Sequence, residues 1–482
     1  MTDEYWKWTV LELTRAIRSK DISCREVTQS CLARIDAVNP YLNAIVDYFP
    51  DDALAAADRA DDAVRRGEDL GALHGVPVTI KINTDYAGRP TTNGVVAFKD
   101  LIAAYDSPPV SNWKKAGAVV VGRTNVPAFS TRYFTDNDLH GRTLNPWHPG
   151  ITPGGSTGGG ASAVAAGMGT LAHGSDRAGS IRYPAYACGV FGIRPTLGRV
   201  PSFNGTAKAE RMLSSQITAV QGLLARSIGD LRVGLHAMAM RDPRDPWWVP
   251  VRDEVSGPER SGPVRVAMLT GLPGAKVAPE VVTAVREAAC WLEDAGYRVD
   301  EVSPPRLEEA ARLFFALVMT EEISGPQSAI DRFGDHAVRQ ARGATLTYAS
   351  RLDAAGYIEA LSRRASILRD MTLFLEQYPL LLMPVSWKLP VPIDADQQGE
   401  KAVHAMLDAH HPMVGISILG LPGLAAPTGL AGGAPVGVQI VAGRFREELC
   451  FAAGELIEAR TPIRTPIDPL REPAASGTAT RG

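Results

Sequence analysis

Over the first 65 residues apolar positions recur at helical spacing, with Val27, Cys31 and Ile35 on one face. Thr9 followed by Glu12, and Ser23 followed by Glu26, each fit the capping box, in which side chain and backbone satisfy one another's free groups at a helix start. The pattern predicts an N-terminal helical region over 1–65. From about Gly71 it changes to short apolar runs set between glycines and helical stretches. Strands are predicted at 76–80 and 118–121 with a helix over 108–116 leading into the second. Further strands at 264–269 and 297–302 flank a helix near 278–295. Late strands at 380–383 and 436–441 precede a helix from about Glu447. Alternation of this kind predicts an α/β fold, a large mixed, mainly parallel twisted sheet covered by helices on both faces.

Composition narrows the classes. The chain has 482 residues, 45% hydrophobic and 21% charged, which is ordinary globular usage and enough for a large core. A single domain over 1–470 is expected. Within it 71–200 is the most distinctive stretch, and 241–262, rich in proline and charge, is expected to be a surface excursion or hinge. Residues 471–482 are small, polar and aperiodic, so a flexible tail is expected. Fifty Lys and Arg against fifty-three Asp and Glu give a net charge of −3, leaving no electrostatic footprint for nucleic acid or an acidic membrane. The five cysteines include no CxxC pair, and the nine histidines show no metal-ligand spacing. No apolar run is long enough to span a bilayer, and the start lacks the basic and apolar stretches of a secretion signal. A cytoplasmic, metal-free protein acting on small molecules, as monomer or homodimer, is the expectation. Trp247-Trp248 is read as packing a loop onto the body.

The unusual segment runs PGGSTGGGASAVAAGMGTLAHGSDRAGSIRYPAYACGVFGIRPT over 153–196. Nine glycines lie between Gly154 and Gly179, a density that helices and strands avoid, because each costs about 0.5–1 kcal/mol relative to alanine. A Walker phosphate loop fails for want of Lys-Ser/Thr after its second glycine. The match of 167–172 to GxGxxG/A follows a small-residue helix at 161–166 where the dinucleotide motif needs a strand. Gly154-Gly-Ser156-Thr-Gly158 satisfies GxSxG, which would make Ser156 the nucleophile of an α/β-hydrolase esterase. That elbow also needs an upstream strand, and prolines at 146, 149 and 153 oppose one. The remaining reading pairs two serines. Ser156 and Ser180 each lie in a glycine-lined turn, separated by one helix and one short strand, so the chain returns beside its own start. Lys81 ends the apolar run at 76–80. Sunk at a buried strand end, its ammonium would lose hydration and with it proton affinity, leaving an amine able to act as a base. Lysine–serine pairs are a known variant of serine catalysis.

Taken together these segments resemble the amidase signature family of serine hydrolases. The resemblance is carried by GGSTGGGASAVAAG, GSDRAGSIRYPAYACGVFGIRPTLGR, GVPVTIKINTDYAGRPTTNG (75–94), VGRTN (121–125), TPGGS (152–156), GISILGLPGLAAPTG (415–429) and PVGVQIV (435–441). It extends from about residue 10 to 460. It implies the amidase signature fold, no cofactor, and hydrolysis of a small, aryl or hydrophobic amide to carboxylate plus ammonia or an amine. Carbamates and esters are reachable by the same acyl-enzyme route. By the resemblance Ser180 is the nucleophile, Ser156 the bridging serine after a cis peptide from Gly155, and Lys81 the base. The backbone N–H groups of Arg177, Ala178, Gly179 and Ser180 form the oxyanion hole. Asp176 and Arg182 support the turn, and Thr157 keeps a hydroxyl where the family has a second serine. Phe129, Tyr133 and Phe134 follow a family block that borders the cleft, and Arg177 is divided between an ion pair and a substrate contact. Three departures stand out: Arg177 and Ala178 replace Thr and Gly before Gly-Ser, and Ile82 replaces Asp after the lysine. They point toward a stand-alone small-molecule hydrolase, away from the amidase component of the tRNA transamidosome.

Overall fold

Both capping boxes form, Thr9 with Glu12 and Ser23 with Glu26, and they start the helices Val10–Ser19 and Cys24–Leu42. A third helix, Pro50–Arg66, completes the N-terminal region around a short strand that periodicity did not mark. The structure, a computed structural model, describes residues 4–251, 262–324 and 329–470. The expected tail at 471–482 and residues 252–261 of the 241–262 excursion lie outside the described residues. Of the latter's described part, Trp248 anchors to the body by donating from Nε1 to Ala239 O at 3.0 Å, while Trp247 is exposed.

Eleven strands form one sheet among the described residues. In chain order they are β1 (Ile45–Tyr48), β2 (Pro77–Lys81), β3 (Val119–Thr124), β4 (Leu171–Asp176), β5 (Phe191–Arg194), β6 (Val220–Ala225), β7 (Arg265–Met268), β8 (Arg298–Glu301), β9 (Leu380–Pro384), β10 (Gly423–Ala431) and β11 (Ala434–Ala442). Their order across the sheet is β1-β3-β2-β4-β6-β5-β10-β11-β9-β7-β8. The mixed α/β sheet follows expectation, and the predominance of parallel pairs does not. Parallel pairing is confined to β3/β2/β4 and β9/β7/β8, whereas β1/β3 and the run from β4 to β9 are antiparallel. The cause lies in the connections. Parallel neighbours need a crossover, supplied by helices such as Pro108–Lys115 between β2 and β3 and Pro279–Asp294 between β7 and β8. β10 and β11 are instead joined by Gly432-Gly433, both at positive φ, a two-residue hairpin turn that forces antiparallel pairing.

Helices cover both faces, as β9 makes plain. Its Leu381 and Met383 enter one core with the helices Leu307–Ser324 and His411–Leu419, and Leu380 and Leu382 enter another with Ile228–Met238 and Glu447–Arg460. Because β2 and β4 run parallel and adjacent, Lys81 at the end of the first and Asp176 at the end of the second emerge on the same side of the sheet. Carboxyl ends of parallel strands are where open α/β sheets place their ligands.

Candidate active site

Lys81 is fully buried at the end of β2 and forms no salt bridge among the described residues. Its Nζ lies 2.8 Å from Ser156 Oγ, 3.0 Å from Thr157 Oγ1 and 3.1 Å from Ser175 Oγ. Burial strips water from the ammonium, Asp176 restores only part of the loss, and the pKa falls from 10.5 to about 7. At neutral pH a large fraction is therefore free amine. A neutral amine has a lone pair and two N–H bonds, so one of its three hydroxyl neighbours must donate to it.

Ser156 is 2% exposed, and the Gly155–Ser156 peptide is cis. The helix Gly158–Ala165 leaves directly after it and feeds β4, which returns the chain to the same place. This is the helix-and-strand excursion expected between the two serines. At its end Thr157 N–H donates to Ser180 O at 3.2 Å, so the two turns are stitched together through their backbones. No histidine among the described residues hydrogen-bonds Ser156 or Ser180, and 145–153 is no strand, so the nucleophile-elbow arrangement is absent there.

Asp176 organises the turn that carries Ser180. Its carboxylate accepts from Gly179 N–H at 2.8 Å, Ile181 N–H at 3.2 Å, Arg182 Nε and Nη2 at 3.0 Å each, and Arg194 Nη1 at 3.2 Å. Burial pushes its pKa up, but Arg182 and Arg194 override this and hold it well below the usual carboxylate range. Asp176 and Arg182 are thus joined to each other, and Asp176 to the backbone of the turn. Arg194 is an added partner that sequence reasoning did not single out, although it lies in the quoted block. Gly179 takes the left-handed φ of +110°, and a Cβ there would stand 2.6 Å from Met413 Sδ. Ala178, where the family has glycine, is not among the positive-φ residues, so its methyl costs the turn nothing. One member of the expected oxyanion set changes: Gly179 N–H is already committed to Asp176, and a carbonyl oxygen would have to be met by the others.

Ser156, Ser175 and Ser180 line a cavity of about 490 Å³. Its apolar wall comes from Phe314, Phe315, Val318 and Met319 of Leu307–Ser324, Val338 and Leu346 of His336–Leu346, and Val403, Met406 and Leu407 of Glu400–Ala409. Of the four weaker candidates, Phe129, Tyr133 and Arg177 line it. Phe134 does not; it is 3% exposed, with the Arg132 guanidinium 5.5 Å from its ring. Arg177 Nη2 donates to Ser214 Oγ at 3.2 Å and its guanidinium stands 5.9 Å from the Phe314 ring. Burial lowers its pKa, and Glu322 and Glu321 act in the opposite sense without forming a salt bridge to it. Sequence reasoning missed Ser175, the third hydroxyl on Lys81, and the buried pair Arg132–Asp396 at 2.7 and 2.9 Å in the cavity wall. Ser175 could have been found from its place in β4, beside the strand that ends in Lys81. Asp396, 264 positions from its partner, carried no local signal.

With this geometry in hand, comparison places the chain among known proteins. The family model described as Amidase matches residues 26–451. The indoleacetamide hydrolase of Bradyrhizobium diazoefficiens is 44% identical over 459 residues, 95% of this chain and 87% of that protein. A glutamyl-tRNA(Gln) amidotransferase component from Moorella thermoacetica is 34% identical, covering 95% and 97%. Among solved structures, 6-aminohexanoate cyclic dimer hydrolase superposes with a TM-score of 0.81 at 26% identity, over 96% of this chain and 99% of the other. A bacterial aryl acylamidase of the amidase signature family does so with 0.80 at 25%, over 95% and 96%. The chain belongs to the amidase signature family. It is an enzyme, a hydrolase of non-peptide carbon–nitrogen amide bonds, and its substrate is a small-molecule amide. Among the described residues no helix is long and apolar enough to cross a membrane, and no group of three or more His, Cys, Asp or Glu could hold a metal ion.

Proposed function

We propose that the enzyme cleaves a small aryl or otherwise hydrophobic amide through an acyl-enzyme on Ser180. The observation that carries this reading is Lys81, buried, close to neutral, and 2.8 Å from Ser156 in the cavity that Ser180 also lines. Ser180 Oγ attacks the amide carbonyl; its proton passes to Ser156 Oγ, whose own proton passes to Lys81 Nζ. The oxyanion is met by backbone N–H groups of the 177–180 turn. Collapse breaks the C–N bond, and Lys81 returns its proton through Ser156 to the leaving nitrogen. Water then attacks the Ser180 ester by the same relay, releasing the carboxylate.

The apolar wall fits an aryl or alkyl acyl group, and the 44% identity to an indoleacetamide hydrolase favours an aryl acetamide with ammonia as the leaving group. The test is a sulfonyl fluoride label located by mass spectrometry, together with turnover of Ser180→Ala. The label is expected on Ser180 and turnover is expected to vanish. A label on Ser156, or full activity in Ser180→Ala, ends this reading. A matched primary amide, anilide, carbamate and ester of one acyl group then ranks the leaving groups, with the primary amide expected first.

A further inference from the structure

A carbonyl oxygen and the next amide hydrogen are opposite ends of one rigid peptide plane. In the turn that carries Ser180, both ends of the Ala178–Gly179 plane are held. Tyr133 donates its hydroxyl to Ala178 O at 2.7 Å, and Gly179 N–H donates to Asp176 Oδ1 at 2.8 Å. The flanking groups are engaged as well. Gly179 O accepts Tyr183 N–H at 2.8 Å, Ser180 O accepts Thr157 N–H at 3.2 Å, and Ile181 N–H goes to Asp176. Gly179 is buried and Ala178 and Ser180 are half-buried, where backbone polar groups generally find partners. Here the N–H groups of Ala178 and Ser180 have none among the described residues, and both residues line the cavity. Ser180 N–H shares its plane with Gly179 O, which Tyr183 N–H holds, whereas the plane that carries Ala178 N–H meets the held Ala178–Gly179 plane at the Ala178 Cα and depends on that plane's orientation.

The Tyr133 hydroxyl is itself placed by ring packing. The ring meets Tyr183 edge to face at 5.6 Å and stands 4.2 Å from the His410 ring. Burial raises the phenol's pKa, so it stays a donor across the working range.

We propose that Tyr133 is a positioning residue for the oxyanion: by holding Ala178 O it fixes the plane next to the free N–H of Ala178 and so aims that N–H, beside the N–H of Ser180, at the oxygen that becomes negative in the transition state. The proposal rests on Ser180 being the nucleophile. Asp176 alone would hold only the N–H end of the plane, and a peptide anchored at one end can rotate. Losing an oxyanion donor outright costs on the order of 10²–10³ in kcat, so loss of its alignment should cost about tenfold to a hundredfold.

The test is Tyr133→Phe, which keeps the ring between Tyr183 and His410 and removes one hydroxyl. kcat is expected to fall about tenfold to a hundredfold with KM moving less than about threefold. An aldehyde analogue of the acyl group, which forms a tetrahedral adduct, should lose affinity by the factor lost in kcat/KM, and the matching alcohol should not. The ratio of the two affinities does not depend on how much of the variant folds. A raised KM with kcat intact would make Tyr133 a substrate contact and overturn the proposal, as would equal losses for aldehyde and alcohol. A wild-type enzyme that sulfonyl fluoride does not label at Ser180 would instead overturn the nucleophile assignment beneath it.

Discussion

At Lys81 burial removes the water that would solvate an ammonium, and only hydroxyls replace it, so the proton is held weakly. Protonated Lys81 cannot accept from Ser156, and kcat/KM for a primary amide should therefore fall as pH drops below about 7. Lys81→Ala should lose roughly 10²–10⁴-fold in rate, with partial recovery at high pH as hydroxide takes over; a pH–rate profile checks both. The same shift bears on the fold. Between pH 7 and the ordinary 10.5 the unfolded chain keeps a proton on this group that the folded chain has shed, so stability gains from it as pH rises through that window. Denaturation of wild type and Lys81→Met side by side should show that slope only in the former. At this scale much was readable. Ser156 and Ser180 stand in a stretch whose glycine density is unusual, Lys81 ends a clean apolar run, and their residue types limit the chemistry. Ser175 and the Arg132–Asp396 pair were not readable, because their importance comes from neighbours brought in by folding.

Among the elements, strands with clean apolar runs, such as β2, β3, β9 and β11, were predicted to within a few residues, as were the helices Pro108–Lys115, Pro279–Asp294 and Glu447–Arg460. The short β1 and β5, four residues each, and β6 and β10 escaped. Glycines in β5, β6 and β10 and the aspartate in β1 blur the alternation, and Gly432-Gly433 follows a small-residue stretch with no clear apolar run to mark it as a hairpin. Three of the missing strands, β5, β6 and β10, make the centre of the sheet antiparallel, and β1 adds an antiparallel edge, which explains the error in strand direction. The helix Gly158–Ala165 offers a direct packing test. A Cβ on Gly159 would meet Asn125 N at 2.5 Å, Asn125 O at 2.6 Å and Ala44 O at 2.8 Å, all backbone atoms that cannot swing aside. Gly159→Ala should destabilise by about 1–3 kcal/mol. Gly343, inside His336–Leu346, has nothing within 4 Å of its Cβ position, and Gly343→Ala should stabilise by about 0.4–1 kcal/mol. Thermal or denaturant melts of the two variants should move in opposite directions.

For the molecule as a whole, every group in the proposed relay comes from one chain, and among the described residues no group of three or more His, Cys, Asp or Glu could hold a metal ion. The purified polypeptide should therefore release ammonia from a small amide without a second protein, and dialysis against a chelator should leave the rate unchanged. Dependence on an added protein or metal ion would contradict this. The relay stands on strand ends and tight turns between 81 and 180, whereas the apolar wall is lent by helices between residues 307 and 409. Appetite and chemistry are thus written in separate stretches of the polypeptide. Exchanging Phe314, Phe315 or Met406 for larger or smaller side chains should retarget the enzyme to new acyl groups while its acid limb stays where Lys81 puts it.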